Sequence, residues 1–351
     1  MKKLWKVLLA VLCAVLAVVL VGFLYIVVNE FSPADVEAID IRGDDSGVYL
    51  PAVDTLRVVS WNIGYCGLGE GSDFFMDGGE NVKSADEATV NKYLGGVKDF
   101  LSETDADLVM LQEVDTDSAR TYHIDMTASL AAGGSVHALN YSCMFVPIPL
   151  PPIGKVNSGL FTTTDYTISQ AERVSLPCPF SWPVSAANLK RCLLISYLPI
   201  DASDKQLVLV NLHLEAYDDG EGKIAQTKQL REFVQAEYEK GNYVIAGGDF
   251  NQIFPDGLDA FPNEHGDLWS PGILDESMLP GEGWQFAYDL DTPSCRLLNQ
   301  PYDPADTENT QYYVIDGFIL SPNVQLETLD CVDLGFENSD HNPVVMEVRL
   351  K

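Results

Sequence analysis

The sequence predicts an α/β domain made of two packed sheets flanked by helices, preceded by one transmembrane helix. Three observations lead there. Strand patterns outnumber helical ones, and helices fall between some of the strands, which suits sheets covered by helices. The chain opens on an uncharged apolar run, Val7 to Val28, and its 351 residues, 46% of them hydrophobic, supply core for one large domain.

As a helix at ~1.5 Å per residue the opening run spans roughly 33 Å, enough to cross a bilayer core. A cleaved signal peptide is the rival reading. Its apolar region is usually shorter, and no small-x-small site follows this run before Phe31-Ser32-Pro33. Lys2, Lys3 and Lys6 precede the run and the next basic residue is Arg42, so the positive-inside bias predicts a single-pass cell-membrane protein, its N-terminus cytoplasmic and the rest outside. Residues 1–28 are thus the cytoplasmic end and anchor. Residues 29–55, acidic and weakly periodic, read as a stalk with a short ordered piece, and 56–351 as one catalytic domain.

That domain opens with a β-α-β unit: a strand at 57–62, a helix at 85–101 and a buried strand at 107–111 that stops at Gln112-Glu113. A helix at 118–130 follows, then strands near 141–146, 159–163, 168–174 and 190–197. The strand at 207–214 has a period of two that puts Asn211 and His213 on one face. A helix at 223–238 leads to a strand at 243–246 that enters Gly247-Gly248-Asp249-Phe250-Asn251. The Gly-, Pro- and acid-rich segment from about 254 to 309 is too long for a passive connector and is expected to shape a site. Strands return at 312–320, 324–332 and 344–350.

The formal charge of −31 disfavours salt-driven binding to duplex DNA, which basic clusters normally nucleate. It also serves solubility. Of seven cysteines, Cys13 lies in the membrane run, leaving six in a domain that faces an oxidising exterior. Cys178 and Cys192, flanking a Pro-rich stretch, are the leading disulfide pair, with free buried thiols the alternative. No C-x-x-C zinc pattern is present.

Where strand patterns stop, the chain places Ser60-Trp61-Asn62, Leu111-Gln112-Glu113, Asn211-Leu212-His213-Leu214, Gly248-Asp249-Phe250-Asn251, Ile315-Asp316-Gly317 and Ser339-Asp340-His341. Each string alone is most simply a turn or a core residue. As an ordered set they resemble the endonuclease/exonuclease/phosphatase superfamily over almost all of the chain after residue 55. The resemblance implies a deoxyribonuclease-like four-layer α/β sandwich and hydrolysis of phosphoesters. It fixes chemistry better than substrate, because the superfamily spans nucleases, inositol-polyphosphate phosphatases and sphingomyelin phosphodiesterases.

Cleaving a phosphoester with water needs a deprotonated nucleophile, neutralisation of growing charge and help for the departing oxygen. Hard oxygen ligands favour Mg²⁺ or Mn²⁺, with Glu113 the principal carboxylate, assisted by the Asn62 amide oxygen and Asp340. His341 is the general base, since imidazole titrates near neutral pH. The resemblance makes Asp316 its partner, sets Asp249 on the nucleophile or leaving group, has Asn251 donate to a phosphoryl oxygen and turns His213 toward the phosphate.

Arg296, in the long segment, can pair with phosphate or be a solvated loop residue. Lys155 and Asn157 precede a strand that the family places beside the site; Arg120 and His123 are weaker candidates. The apolar, proline-stiffened stretch 144–153 is expected to pack inside, or else to rest on lipid beside the active site. The expected partner is a phosphoester substrate (lipid, small molecule or nucleic acid) together with the membrane held by the N-terminal helix. The expected activity is that of an outward-facing metal-dependent phosphodiesterase. An extracellular nuclease is the alternative on the same chemistry, and a non-catalytic binding protein is the alternative of another class.

Overall fold

A computed structural model describes residues 2–43, 47–52, 55–83, 85–147, 149–218, 220–306 and 308–351. Helix α1 (Lys2–Val28) has no buried residue and is long and apolar enough to cross a membrane. Strand β1 (Val36–Ala38) follows, then β2 (Thr55–Asn62), α2 (Glu87–Thr104) and β3 (Leu108–Asp115). Next come α3 (Met126–Leu130), β4 (Gly134–Val146), β5 (Gly154–Thr164), β6 (Gln170–Ser175), β7 (Cys192–Pro199), β8 (Gln206–His213), α4 (Glu221–Glu239) and β9 (Tyr243–Asp249). The long segment holds short pieces: β10 (Gln252–Ile253), α5 (Gly257–Ala260), β11 (Gly272–Ile273), β12 (Gln285–Ala287), β13 (Cys295–Arg296) and β14 (Tyr312–Tyr313). β15 (Asp316–Leu320), β16 (Val324–Cys331) and β17 (Val344–Leu350) complete the fold.

Two mixed sheets stack face to face, one ordered β1-β6-β7-β8-β9-β15-β12 and the other β16-β17-β2-β3-β5-β4. The period of two explains the layering. In β3, Leu108 and Met110 enter the core between the sheets, while Val109 and Leu111 face α2. In β8, Leu207 and Leu209 share that central core, while Val208, Val210 and Leu212 face the side covered by α4. Each such fully buried side chain contributes roughly 2 kcal/mol. Helix α2 begins where the Asp86 side chain accepts from Thr89 N–H and buries Val90, Tyr93, Leu94 and Val97, an apolar stripe at helical spacing. Helix α4 buries Leu230 and Val234 against the other sheet. The result is the four-layer α/β sandwich.

Several local expectations change. Residues 118–130 are not one helix. Tyr122 and His123 take left-handed φ of 56° and 62°, which breaks the helical path, and Asp125 then caps the separate short α3 by accepting from Ala128 N–H. Residues 312–320 are not one strand either, because β14 pairs with β13 while β15 pairs with β9. The segment expected as a stalk lies against the domain, with β1 paired to β6 and Leu50 fully buried in the central core. Cys178 and Cys192 do not pair. All seven thiols are free, and Cys192 Sγ lies 3.0 Å from Asn140 Oδ1. Nor is the 144–153 stretch packed away, since Met144, Phe145 and Leu150 are exposed; its residue 148 lies outside the described residues.

Candidate active site

Parallel pairing brings strand ends to one side of each sheet. Asn62 stands opposite Gln112 in β2–β3, and His213 opposite Asp249 in β8–β9. Antiparallel β15 begins at the same place, with Asp316 opposite Asp249. Because the sheets are stacked, these ends form one floor. Backbone irregularities aim the side chains. Glu113 sits on a bulge of β3 with φ of 55°, and Asn251 has φ of 49°. Gly248, at φ of 145°, passes so close to Leu212 O that a Cβ would meet it at 1.9 Å.

His341 Nδ1 donates to Asp316 Oδ2 at 2.8 Å, and both side chains are buried. The other ring nitrogen, Nε2, faces the site, 3.8 Å from Asp249 Oδ2 and 3.9 Å from Asp340 Oδ2. Asp249 Oδ2 accepts from Asn62 Nδ2 at 3.0 Å and lies 3.3 Å from His213 Nε2, while Asp249 Oδ1 accepts from Asn251 N–H at 2.8 Å. Glu113 Oε1 is 3.4 Å from Asn62 Nδ2 and 4.0 Å from His213 Nδ1. The sequence-derived residues Asn62, Glu113, His213, Asp249, Asn251, Asp316, Asp340 and His341 therefore line or floor one cleft.

Burial governs the electrostatics. It pushes the Asp249 carboxyl up to about 7, and neighbouring Asp316 adds to this. Burial also raises Glu113 and Asp340 above the usual carboxylate range. For His213, burial, then Arg191 and His341, hold the imidazole well below its ordinary value, so the ring is neutral. His341 goes the other way. Burial alone would lower it, but Asp316, then Cys295 and Asp340, raise it well above 6.5.

The model of the endonuclease/exonuclease/phosphatase family matches residues 59–341. The chain belongs to this family. Members of the family are metal-dependent phosphoester hydrolases. An endonuclease/exonuclease/phosphatase from Beutenbergia cavernae shares 16% identity with a TM-score of 0.55, covering 84% of this chain and 72% of its own. One from Bacteroides vulgatus shares 16% identity with a TM-score of 0.51, covering 85% of this chain and 100% of its own. Both share the fold. Comparison with curated proteins gives no match.

The donor set fits the divalent cation that the family uses. Glu113 and Asp340 offer hard carboxylate oxygens whose charged form burial penalises, a penalty that a bound cation would offset. Gly64 keeps that space open, since a Cβ there would lie 2.7 Å from Asp340 Oδ1. Asn62 departs from expectation: its amide oxygen accepts from Gly64 N–H at 3.0 Å, so its nitrogen, not its oxygen, faces the carboxylates. Ligand atoms of Asp249, Asp316 and His341 also lie within 4.8 Å of one another. A cation among those three would displace the His341–Asp316 hydrogen bond, whereas Glu113 and Asp340 could hold one without breaking it.

The expected substrate contacts fare differently. Arg296 is 1% exposed, and its guanidinium donates to the carbonyls of Gly69, Ser72, Leu297 and Gln300. It lines the cleft, with these bonds tying loops together and holding the guanidinium on backbone carbonyls. Lys155 pairs with Asp117, and the Asn157 amide accepts from Ser142 Oγ and lies near Asp117 O; neither lines the cleft. His123 is likewise spent on Asp117. Arg120 does reach the cleft, clamped by Asp115 through two hydrogen bonds and laid over the Tyr65 ring at 3.5 Å.

The cleft, about 470 Å³, also holds residues that the sequence did not single out: Arg191, Tyr65, Asp77 and Tyr217. Arg191, 4% exposed, lies beside Glu215 at 3.8 Å and donates to the His213 carbonyl at 3.4 Å. Two further groups hold the His341–Asp316 pair. Ser294 Oγ donates to Asp316 Oδ2 at 2.8 Å, and Trp61 Nε1 donates to His341 O at 2.8 Å. Trp61 stood within a quoted motif; Ser294 and Arg191 carry no local pattern that marks them.

Proposed function

We propose that this protein is a membrane-anchored, outward-facing, Mg²⁺- or Mn²⁺-dependent phosphodiesterase. The observation that carries the reading is the buried His341–Asp316 pair, whose Nε2 faces Asp249 and Asp340 on the cleft floor with Asn62 Nδ2 3.4 Å away. Asp316 fixes the ring and raises its proton affinity, so His341 accepts the proton of an attacking water at Nε2 once its own proton has left, and turnover should climb with pH above the ordinary imidazole range. A cation held by Glu113 and Asp340 would supply the positive charge that offsets charge growing on the phosphoryl oxygens. Neutral His213 donates a hydrogen bond to phosphate or to the leaving oxygen. Asn62 holds Asp249 in place, and the Asn251 amide, anchored on Leu214 O at 2.9 Å, keeps a second N–H for a phosphoryl oxygen. Helix α1, uncharged and apolar from Val7 to Val28 and unburied, supports the anchor. Lys2, Lys3 and Lys6 in its first turns support the orientation.

The test is cleavage by the full chain across DNA, RNA, soluble phosphodiesters, phosphomonoesters and phospholipid bilayers with Mg²⁺ or Mn²⁺. Turnover should vanish with chelator, and His341→Ala and His213→Ala should each lower it by about two orders of magnitude or more with the fold intact. Wild-type turnover in folded His341→Ala protein would remove the proposed base. A response confined to DNA or RNA would move the assignment to a nuclease, and silence on every substrate from a folded, metal-loaded chain would favour a binding protein.

A further inference from the structure

The end of the anchor helix is clamped to the catalytic domain beside the cleft. Phe23, inside α1, packs edge-on against Trp182 with ring centroids 5.8 Å apart. Just beyond the helix, Glu30 pairs with Lys190 at 3.1 Å, and the Arg173 guanidinium lies 5.5 Å from the Phe31 ring. Strand β1 then joins the sheet edge at β6. With contacts at residues 23, 30 and 31 and strand pairing from Val36, the connection leaves little freedom for the domain to swing away from the helix.

The depth of that contact follows from the helix rise. Phe23 lies five residues before the last helical residue, Val28, which places it about 8 Å inside the outer end of the apolar run. In a helix that just spans the ~30 Å hydrocarbon core, a side chain touching Phe23 lies among the outer acyl segments, just beneath the headgroups. Trp182, 59% exposed, is of the type that settles there. Exposed Val184 follows it on the same segment, and the tip between β4 and β5 exposes Met144, Phe145 and Leu150. The two segments are joined, since Tyr141 in β4 donates to Ala187 O at 3.0 Å. They also build one wall of the cleft, through Val146 and Ile153 from one and Phe180, Ala187 and Leu189 from the other.

We infer that the domain rests on the membrane crossed by its own helix, with Trp182, Val184, Met144, Phe145 and Leu150 in the interface, and that the cleft takes its phosphodiester from a lipid of that surface. This rests on the anchored-hydrolase reading above and names its substrate class. The apolar wall runs from the interface residues to the site, so the lipid's apolar part has a path while its phosphate reaches Glu113, Asp340 and His341. The charge of −31 opposes an anionic leaflet, so the lipid is zwitterionic. In the reaction the oxygen of water ends on phosphorus, one ester P–O bond breaks, and the departing oxygen takes a proton.

The full chain in phosphatidylcholine nanodiscs tests docking and delivery separately. With chains brominated near the headgroup, wild-type tryptophan emission should be quenched more than that of Trp182→Phe, the difference reporting Trp182 alone. No difference overturns the docking, whatever the activity. For delivery, hydrolysis of the choline lipid is set against that of soluble bis(p-nitrophenyl) phosphate in a Phe145→Asp, Val184→Asp double variant. Lipid turnover should fall by at least about tenfold, the scale of one buried apolar side chain lost, with soluble turnover unchanged. An unchanged lipid rate, or an equal loss on both substrates, overturns lipid delivery. If the wild type cleaves neither, the catalytic reading fails and the lipid substrate with it, while quenching still decides the docking.

Discussion

Asp316 works through His341, and Ser294 works through Asp316, so the three should differ in cost. Asp316→Asn keeps the shape but no longer offers a full negative charge to the Nδ1–H, and kcat should fall by about two to four orders of magnitude. Ser294→Ala removes the bond to Asp316 Oδ2 and those that Ser294 Oγ accepts from the Ile315 and Asp316 N–H groups at 3.0 Å, so it should cost roughly tenfold to a hundredfold in kcat and lower the unfolding midpoint by the equivalent of about 1–3 kcal/mol. Steady-state kinetics on the responsive phosphodiester checks both. A larger loss for Ser294→Ala than for Asp316→Asn would reverse the proposed order of support. At this scale the sequence shows the groups at strand ends, because apolar runs that stop at Asn62, Glu113 or Asp249 point to them. It does not show Ser294 or Arg191, which reach the site from irregular or interior positions through contacts across more than twenty residues.

Between elements, a buried polar clasp joins the two sheets behind the site. Gln112 Nε2 donates to Asn211 Oδ1 at 2.8 Å, and Asn211 Nδ2 donates to Phe161 O at 2.9 Å and Leu111 O at 3.1 Å. Asn211→Ala strands these partners in the core and should destabilise the domain by about 2–4 kcal/mol, read as a shift in the urea midpoint. The period of two in β8 makes Asn211 and His213 visible as one face, but only the stacking shows that one is a clasp and the other a site residue. Strand β4 carries a second dependence. Burial depresses the His137 imidazole from 6.5 to about 4. Between those values the unfolded chain takes up a proton that the folded chain refuses, so this residue's contribution to stability falls as pH falls through 6.5 and levels off below 4. The loss amounts to about 3 kcal/mol at most, and in His137→Gln the stability difference between neutral and acidic pH should shrink by that share. Identical pH curves for the two proteins would contradict the buried, neutral ring. The single helix read at 118–130 and the single strand at 312–320 fail for one reason: their divisions are made by long-range pairing and local caps, which apolar periodicity does not encode.

For the molecule as a whole, the layer order was legible because β3, β8, α2 and α4 each show one clean periodicity, whereas the cleft wall and the clamped N-terminal helix depend on loops whose packing has no period. The largest collective term is charge. A chain of net charge −31 gathers Glu113, Asp249, Asp316 and Asp340 at one cleft floor, and burial raises the proton affinity of Glu113, Asp249 and Asp340. Without a cation this arrangement works against the fold, because buried carboxylates must either hold protons or repel one another. A divalent ion binding the folded chain alone should therefore raise the melting temperature, by an amount equivalent to about 2.7 kcal/mol at a hundredfold excess over its Kd, with release of protons. Glu113→Gln separates the two halves of this argument. In chelator it should melt at or above the wild-type temperature, since one repelling carboxylate is gone; with Mg²⁺ or Mn²⁺ most of the wild-type gain should be missing. Differential scanning calorimetry with and without metal reads both. A Glu113→Gln protein that is destabilised in chelator yet gains as much from metal as the wild type would show that Glu113 supports the fold and that the ion is held elsewhere on the cleft floor.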